Sequence, residues 1–133
     1  MYKHILLPTD GSDLSIRAVT AGIELAKSIN AKVTGLFVNE ATYISAIDGQ
    51  PNPRAESALA AVAQLAKDAG VTSTCVSMLG ETPQDAIVRL AKAEGCDLII
   101  MGTHGRSKVG KFILGSVAAS LLADCEIPVL LYR

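Results

Sequence analysis

The 133-residue sequence predicts an α/β fold, a single doubly wound, five-stranded parallel sheet with helices on both faces. Two observations lead to this prediction. Five strand-like runs alternate with four helix-bearing connections along the chain, which is the order of repeated strand–helix–strand units with right-handed crossovers. In addition, Ile5-Leu6-Leu7 and Leu98-Ile99-Ile100-Met101 are apolar at every position rather than at alternate ones, as expected for strands buried on both faces.

Local signals place the individual elements. The predicted strands are 3–8, 32–39, 72–78, 98–101 and 127–132, and the predicted helices are 13–30, 53–69, 83–95 and 116–123. The first three helices each follow a capping residue, namely Ser12, Asn52 and Thr82. They end at residues that tolerate a left-handed backbone, namely Asn30, Gly70 and Gly95. Asp85, three residues after Thr82, completes a capping-box pattern. The polar third strand is predicted at a sheet edge and the apolar fourth in the interior, while segment 40–52 is predicted to be a surface loop.

Composition restricts the function classes. The length fits one domain spanning residues 1–133. The formal charge is −1 with dispersed basic residues, and only 4% of residues are aromatic, so no nucleic-acid partner is expected. No apolar run approaches the roughly 20 residues of a spanning helix, and no secretory leader precedes the first strand, so no membrane partner and a cytoplasmic location are expected. Cys75, Cys96 and Cys125 lack disulfide or zinc spacing and are expected to be buried free thiols.

The chain is organised around a glycine-rich stretch, residues 102–116, which joins the fourth strand to the last helix. Glycines let backbone approach a ligand closely, and a helix N-terminus attracts anions, so phosphate is the expected ligand. Within this stretch, residues 105–112 approximate a Walker A loop. However, Phe112 occupies the position where that loop needs a magnesium-binding hydroxyl, so Walker-type hydrolysis is not expected.

The other half of the expected site is the turn that follows the first strand, Pro8-Thr9-Asp10-Gly11-Ser12. In doubly wound sheets, ligands bind at the carboxyl ends of the strands where the winding direction reverses. Asp10 and the glycine stretch form one site only if the first and fourth strands are neighbours. Taken alone, Asp10 is better explained as an ordinary turn residue, and only its pairing with the glycine stretch favours a binding role; the glycine stretch itself can be a connector.

Four motifs together resemble the universal stress protein family over essentially the entire chain. They are the turn 8–12, Gly80-Glu81-Thr82-Pro83, the spacing Gly102-x2-Gly105-x9-Gly115-Ser116, and Pro128-Val129-Leu130-Leu131. The glycine spacing is similar to that of the subclass that binds ATP. The resemblance implies a sheet order of 3-2-1-4-5, which places the first and fourth strands side by side. It also implies a regulatory homodimer of the stress response, with ATP as ligand, with or without Mg²⁺, and with little or slow hydrolysis.

The resemblance also implies roles for individual residues. Pro8, Thr9 and Asp10 would border the nucleotide, and Val38 would meet adenine through its backbone. The remaining residues would hold the ribose and phosphates, and they are Gly102, Thr103, His104, Gly105, Arg106, Ser107, Lys108, Gly115, Ser116, Val117 and Ala118. No catalytic residue is predicted, because His104 has no acid or nucleophile placed by the sequence to act with it.

Two other functions stay open at this stage. One is an ATPase or phosphotransferase that uses the same pocket, and the other is a dimeric interaction module that binds no nucleotide. The terminal strand, residues 129–132, is apolar and expected at a sheet edge, so it is predicted to pair with a second copy of the chain. Any protein partner beyond this homodimer is unknown.

Overall fold

Five parallel strands form one sheet, in a computed structural model that describes residues 1–39, 52–79, 82–104 and 114–133. The strands are β1 (His4–Pro8), β2 (Lys32–Asn39), β3 (Ser73–Leu79), β4 (Leu98–Gly102) and β5 (Val129–Tyr132), and the helices in these residues are α1 (Asp13–Ile29), α2 (Pro53–Ala69), α3 (Pro83–Glu94) and α4 (Ser116–Asp124). The sheet order is β3-β2-β1-β4-β5, with every pair parallel. The predicted fold and strand order are confirmed. The predicted loop lies, except for Asn52, outside the described residues.

The helices cover the sheet in two layers because strand side chains alternate between faces. Ile5 and Leu7 of β1 pack in one core with residues of α1 and α2, such as Ile23 and Val62. Leu6, between them in sequence, packs on the opposite face in a core that includes residues of α3 and α4. The connecting helices before β3, α1 and α2, cover one face, and those after β3, α3 and α4, cover the other. The winding direction therefore reverses between β1 and β4, in the middle of the sheet.

The helix boundaries follow the capping signals. Ser12 accepts a hydrogen bond from the Ser15 N–H at the start of α1, and Asn30 ends that helix with φ at 58°. The cap at Thr82 differs from the prediction, because its hydroxyl donates to the Asp85 carboxylate (2.7 Å) instead of capping the backbone. β5 begins at Val129 rather than at residue 127, and the intervening Pro128 has no N–H to donate to β4.

A buried polar network ties the amino ends of the strands together. The His4 imidazole is 5% exposed, and its Nδ1–H donates to the carbonyl of Glu94 at the end of α3 (3.1 Å). Its Nε2 is hydrogen-bonded to the Thr34 hydroxyl (2.6 Å), which in turn meets Thr74 (3.1 Å). The Asp97 carboxylate, before β4, accepts from the backbone N–H groups of Lys3 and His4. These bonds lie at the sheet edge opposite the predicted site, so His4 has a structural role.

The cysteines only partly match the expectation of buried thiols. Cys96 is buried, Cys125 is partly buried and Cys75 is exposed, so the prediction is wrong for Cys75. Cys75 lies on β3, an edge strand that has a neighbour on one side only. Burial, together with the charges of Glu94 and Asp97, raises the pKa of the Cys96 thiol to about 11. Among the described helices, none is long and apolar enough to cross a membrane.

Candidate functional site

At the carboxyl edge of the sheet, the pairing of β1 with β4 ends before the pairing of β1 with β2, and Pro8 lies just beyond that end. β1 pairs with β2 as far as Pro8 but with β4 only at Ile5 and Leu6. The N–H of Thr9 donates to Leu36 of β2 (2.8 Å), and backbone groups alternate sides along a strand, so the nitrogen of Pro8 lies on the β4 side. Proline has no N–H, so the ladder lacks the bond that residue 8 would donate to β4, in agreement with its end at Leu6. Sheets of this class have a crevice at this point, where the winding direction reverses.

Val38 borders the same opening from β2. Leu36 uses its carbonyl to pair with β1, so the N–H and C=O of Val38, two residues further, also point to the β1 side. β1 ends at Pro8, the partner of Leu36 in the register, so its strand does not reach Val38. The Val38 side chain is half-buried and packs on the face covered by α3 and α4. Its backbone thus presents a donor and an acceptor toward the crevice.

The turn after β1 is held by its own side chains. The Gly11 N–H donates to the Thr9 hydroxyl oxygen (3.1 Å), and the Ser15 hydroxyl donates to the Ser12 carbonyl (3.1 Å), so the Thr9 hydroxyl hydrogen points to Ser15 Oγ (2.7 Å). Thr9 and Ser15 are both buried. The half-buried Asp10 accepts from the Ser12 N–H through Oδ1 (2.9 Å). Asp10 is therefore a turn residue at the mouth of the crevice, while the Thr9 side chain is engaged within the turn.

The end of β4 lies against the starts of both α1 and α4. A Cβ on Gly102 would lie 3.1 Å from Cγ of Leu14, in the first turn of α1. A Cβ on Gly115 would lie 3.0 Å from the Thr103 carbonyl oxygen, which accepts the Gly115 N–H (2.6 Å). The predicted residues 8–10, 102–104 and 115–118 are thus brought to one edge of the sheet. These contacts also give both glycines a steric role that needs no ligand.

The N-terminus of α4 differs from the other helix starts among the described residues. Its N-cap is Gly115, which supplies no side-chain hydrogen bond, and its first turn has no acidic residue. The first turns of the other three helices carry Asp13, Glu56 and Asp85. Ser116 is exposed, Val117 is half-buried and Ala118 is 1% exposed in the core below. The partial positive charge of this helix end is therefore not offset by a first-turn carboxylate, which favours an anion.

The rest of the predicted site is only partly described. His104 is half-buried, and its Nδ1 lies 3.3 Å from the Thr103 hydroxyl. The predicted residues Gly105, Arg106, Ser107 and Lys108 lie outside the described part of the chain. Within the described part, no group of three His, Cys, Asp or Glu side chains could hold a metal ion.

Sequence reasoning overlooked two features near this edge. Asn39, the last residue of β2, is buried with 2% exposure and bonds to β3 and to Asn52. Its signal was a polar residue directly after the apolar run Leu36-Phe37-Val38. The second feature is a surface groove of about 370 Å³ between α1 and α2, lined by Gly11, Ile16, Arg54, Ser57, Ala58 and Ala61. It contains none of the predicted site residues, and it is lined by residues of α1 and α2 together with Gly11 of the turn after β1. Doubly wound sheets bind ligands at the strand ends where the winding direction reverses, so the β1–β4 crevice is kept as the candidate site.

The fold is that of a doubly wound α/β protein, a class that binds ligands at the switch point of its sheet, which here lies between β1 and β4. A sequence model of the universal stress protein family matches residues 1–133. The chain therefore belongs to the universal stress protein family.

Curated relatives and solved structures agree with this assignment. The chain is 31% identical over 142 residues to universal stress protein MJ0531 of Methanocaldococcus jannaschii, covering 100% of this chain and 83% of the relative. It is 34% identical over 139 residues to a universal stress protein of Thermus aquaticus, covering all of both chains.

Two solved structures have similar folds. One is a universal stress protein in complex with cAMP, with a TM-score of 0.78 and 29% identity over 99% of this chain and 97% of that chain. The other is protein MJ0577, with a TM-score of 0.79 and 29% identity over 99% and 96% of the two chains.

Proposed function

We propose that this chain binds an adenine nucleotide, in particular ATP, in the crevice between β1 and β4. Residues 1–133 act as one nucleotide-binding domain of a cytoplasmic regulatory homodimer in the stress response, with little or slow hydrolysis. The observation that carries the proposal is the opening of the sheet at Pro8, beside a helix N-terminus that has no first-turn acid. The similar protein solved with cAMP supports an adenine nucleotide as the ligand class.

Each part of the nucleotide has a matching part of the crevice. The Val38 backbone offers a donor and an acceptor for the adenine edge. Asp10, at the mouth of the turn, is suited to accept from ribose hydroxyls or to meet a magnesium ion carried by the phosphates. The N–H groups of residues 116–118 suit the phosphates, with Arg106 and Lys108 supplying positive charge.

Equilibrium dialysis of the unmodified chain with ATP tests the proposal. We expect saturable binding of one ATP per chain, weaker binding of GTP, and competition by cAMP for the same site. A turnover assay on the same samples, with Asp10→Ala as the reference variant, is expected to show slow phosphate release at most. Absence of saturable binding by the unmodified chain would overturn the proposal.

A second function has one observation in its favour. Gly102 and Gly115 have steric reasons to be glycine within the fold itself, as an interaction module that binds no nucleotide would also require. The dialysis experiment separates the two functions, because this module predicts no nucleotide binding at any concentration tested.

The dimer is proposed through β5, which lies at an edge of the sheet. Leu130 is 42% exposed there. Pro128 and Tyr132 accept bonds from β4 through their carbonyls, so the backbone groups of Val129 and Leu131 point away from β4, to the free edge. Pairing of this edge with a second copy would satisfy those groups.

Sedimentation of Leu131→Pro tests the dimer, because this change removes an outward N–H and no bond to β4. Leu131→Ala, which shortens the same side chain and keeps the N–H, is the matched control. We expect a dimer at micromolar concentration for the unmodified chain and the Ala variant, and a monomer for the Pro variant. A monomeric unmodified chain, or a dimeric Pro variant, would contradict pairing through β5.

A further inference from the structure

The Asn39 side chain joins three elements at the carboxyl end of β2. Its Nδ2 donates to Ser77 Oγ (2.6 Å) and to the Met78 carbonyl (3.1 Å), both on β3. Its Oδ1 accepts from Nδ2 of Asn52 (2.8 Å), the N-cap of α2. With 2% of its surface exposed, this amide is held in one position.

The orientation of both amides follows from partners that can act in only one way. The N–H of Arg54 can only donate, and it donates to Oδ1 of Asn52 (3.0 Å), so Asn52 presents Nδ2 to Asn39. The Met78 carbonyl can only accept, so it faces the Nδ2 of Asn39 and not the oxygen. The two requirements agree, and they define a directional Asn39–Asn52 pair.

We propose that the Asn39–Asn52 pair positions the backbone of Val38 for recognition of the adenine base; this rests on the proposed function. Val38 directly precedes Asn39, and its N–H and C=O point to the β1 side, where β1 has ended. At that level β2 pairs with β3, which is itself an edge strand. The bonds from Asn39 to β3 and α2 therefore hold the end of β2 from the side away from the crevice.

Rigid placement of Val38 bears on base selectivity as well as affinity. Adenine presents a hydrogen-bond donor at its amino group beside an acceptor ring nitrogen, whereas guanine presents an acceptor at O6 beside a donor ring N–H. A backbone N–H and C=O held at fixed positions match only one of these orders. If the end of β2 can move, the Val38 N–H and C=O no longer favour the donor–acceptor order of adenine over that of guanine, and the preference for adenine falls.

The test uses Asn52→Ser, with ATP and GTP as the probes. Serine caps helices about as well as asparagine but is too short to donate to Asn39, so the change removes the pair and keeps the cap and the charge. Gln64→Ser is the matched control, because Gln64 is an exposed amide on the same helix whose Nε2 donates to Asp68 one turn further along α2 (2.7 Å). Dissociation constants for both nucleotides and urea midpoints are measured for the three proteins.

We expect Asn52→Ser to bind ATP about 2- to 12-fold more weakly, the range that corresponds to the net effect of one hydrogen bond. GTP binding should stay at the value of Gln64→Ser, so the ratio of ATP to GTP affinity falls, while the urea midpoint should fall because the buried Oδ1 of Asn39 loses its donor. Unchanged ATP affinity in Asn52→Ser would overturn the positioning role. Equal losses for ATP and GTP would also overturn it, since they indicate general loosening. If the unmodified chain binds neither nucleotide, the proposed function fails and this role fails with it.

Discussion

Replacing Ser116 by Asp is expected to act in opposite directions on stability and on ligand binding. Ser116 is the exposed first residue of α4, whose first turn has no acidic residue and no side-chain cap. A carboxylate at a helix N-terminus stabilises the helix by about 0.3–1 kcal/mol. The free energy of unfolding without ligand should therefore stay the same or rise by that amount, as measured by urea denaturation.

Phosphate binding should weaken in the same variant. A phosphate held by the first-turn N–H groups would lie about 5 Å from the new carboxylate, and one pair of like charges at that distance costs about 0.8 kcal/mol in water and about 3.3 kcal/mol at an effective dielectric constant of 20. The corresponding loss of ATP affinity is roughly 4- to 250-fold, while adenosine, which has no phosphate, should bind as before.

Calorimetric titration of Ser116→Asp with ATP and with adenosine measures both effects, and Ser116→Asn provides a control of the same shape without the charge. The loss for ATP should be smaller at high salt, because ions screen exposed charges. If Ser116→Asp binds ATP as tightly as Ser116→Asn at low salt, phosphate does not lie at the start of α4. That result would refute this part of the site.

Three further predictions concern the rest of the fold. His4→Phe keeps the volume but leaves the Glu94 carbonyl and the Thr34 hydroxyl without the imidazole, so urea denaturation should show a loss of about 2–4 kcal/mol, and unchanged stability would contradict the role of the network. Desolvation raises the pKa of Asp97, but N–H donors from His4, Lys3 and Asp97 itself, with the charge of His4, lower it overall from its usual 3.8. The ionised Asp97 carboxylate therefore stabilises the fold fully above pH 3.8, and this stabilisation is lost as the pH falls through the lower pKa that Asp97 has in the folded state. The urea midpoints of the unmodified chain and of Asp97→Asn should converge on acidification, and a constant difference between them would contradict this. Burial raises the pKa of both Cys75 and Cys96, to about 11 for Cys96, but only Cys75 is exposed, so Cys75 should react first with a thiol reagent in the folded state and Cys96 only once the chain unfolds; labelling followed by mass spectrometry gives the order of reaction, and labelling of Cys96 before Cys75 would contradict it.

The fold could be predicted because its signals are local. The consecutive apolar residues of β1 and β4 indicate burial on two faces, and Ser12, Asn30 and Gly70 mark helix ends through their own conformational preferences. The strand order itself came from resemblance to a family, because local periodicity does not specify which strands become neighbours. Thr82 is the N-cap residue as predicted, but its hydroxyl does not bond to the helix backbone because the nearby Asp85 carboxylate is an alternative partner.

The candidate site was harder to predict from the sequence than the fold, because its geometry depends on contacts between residues that are far apart in the chain. Pro8 was expected to border the ligand, but its effect on the β1–β4 ladder follows only from the side to which its nitrogen points. The tight fit of Gly102 against Leu14 and the bond between Asn39 and Asn52 need the folded arrangement to be recognised. By contrast, the start of the last helix at Ser116 was predicted correctly, because the helix-like run begins directly after the glycine-rich stretch.

The central claim, an adenine nucleotide in the β1–β4 crevice, is tested most directly by titrating the isotope-labelled chain with ATP and following its backbone amide resonances by NMR. The account predicts saturable shifts at Val38, Gly102 and residues 116–118, with little change at His4 and Asp97 on the opposite edge of the sheet. It would be contradicted by the absence of saturable shifts, or by shifts confined to the groove between α1 and α2.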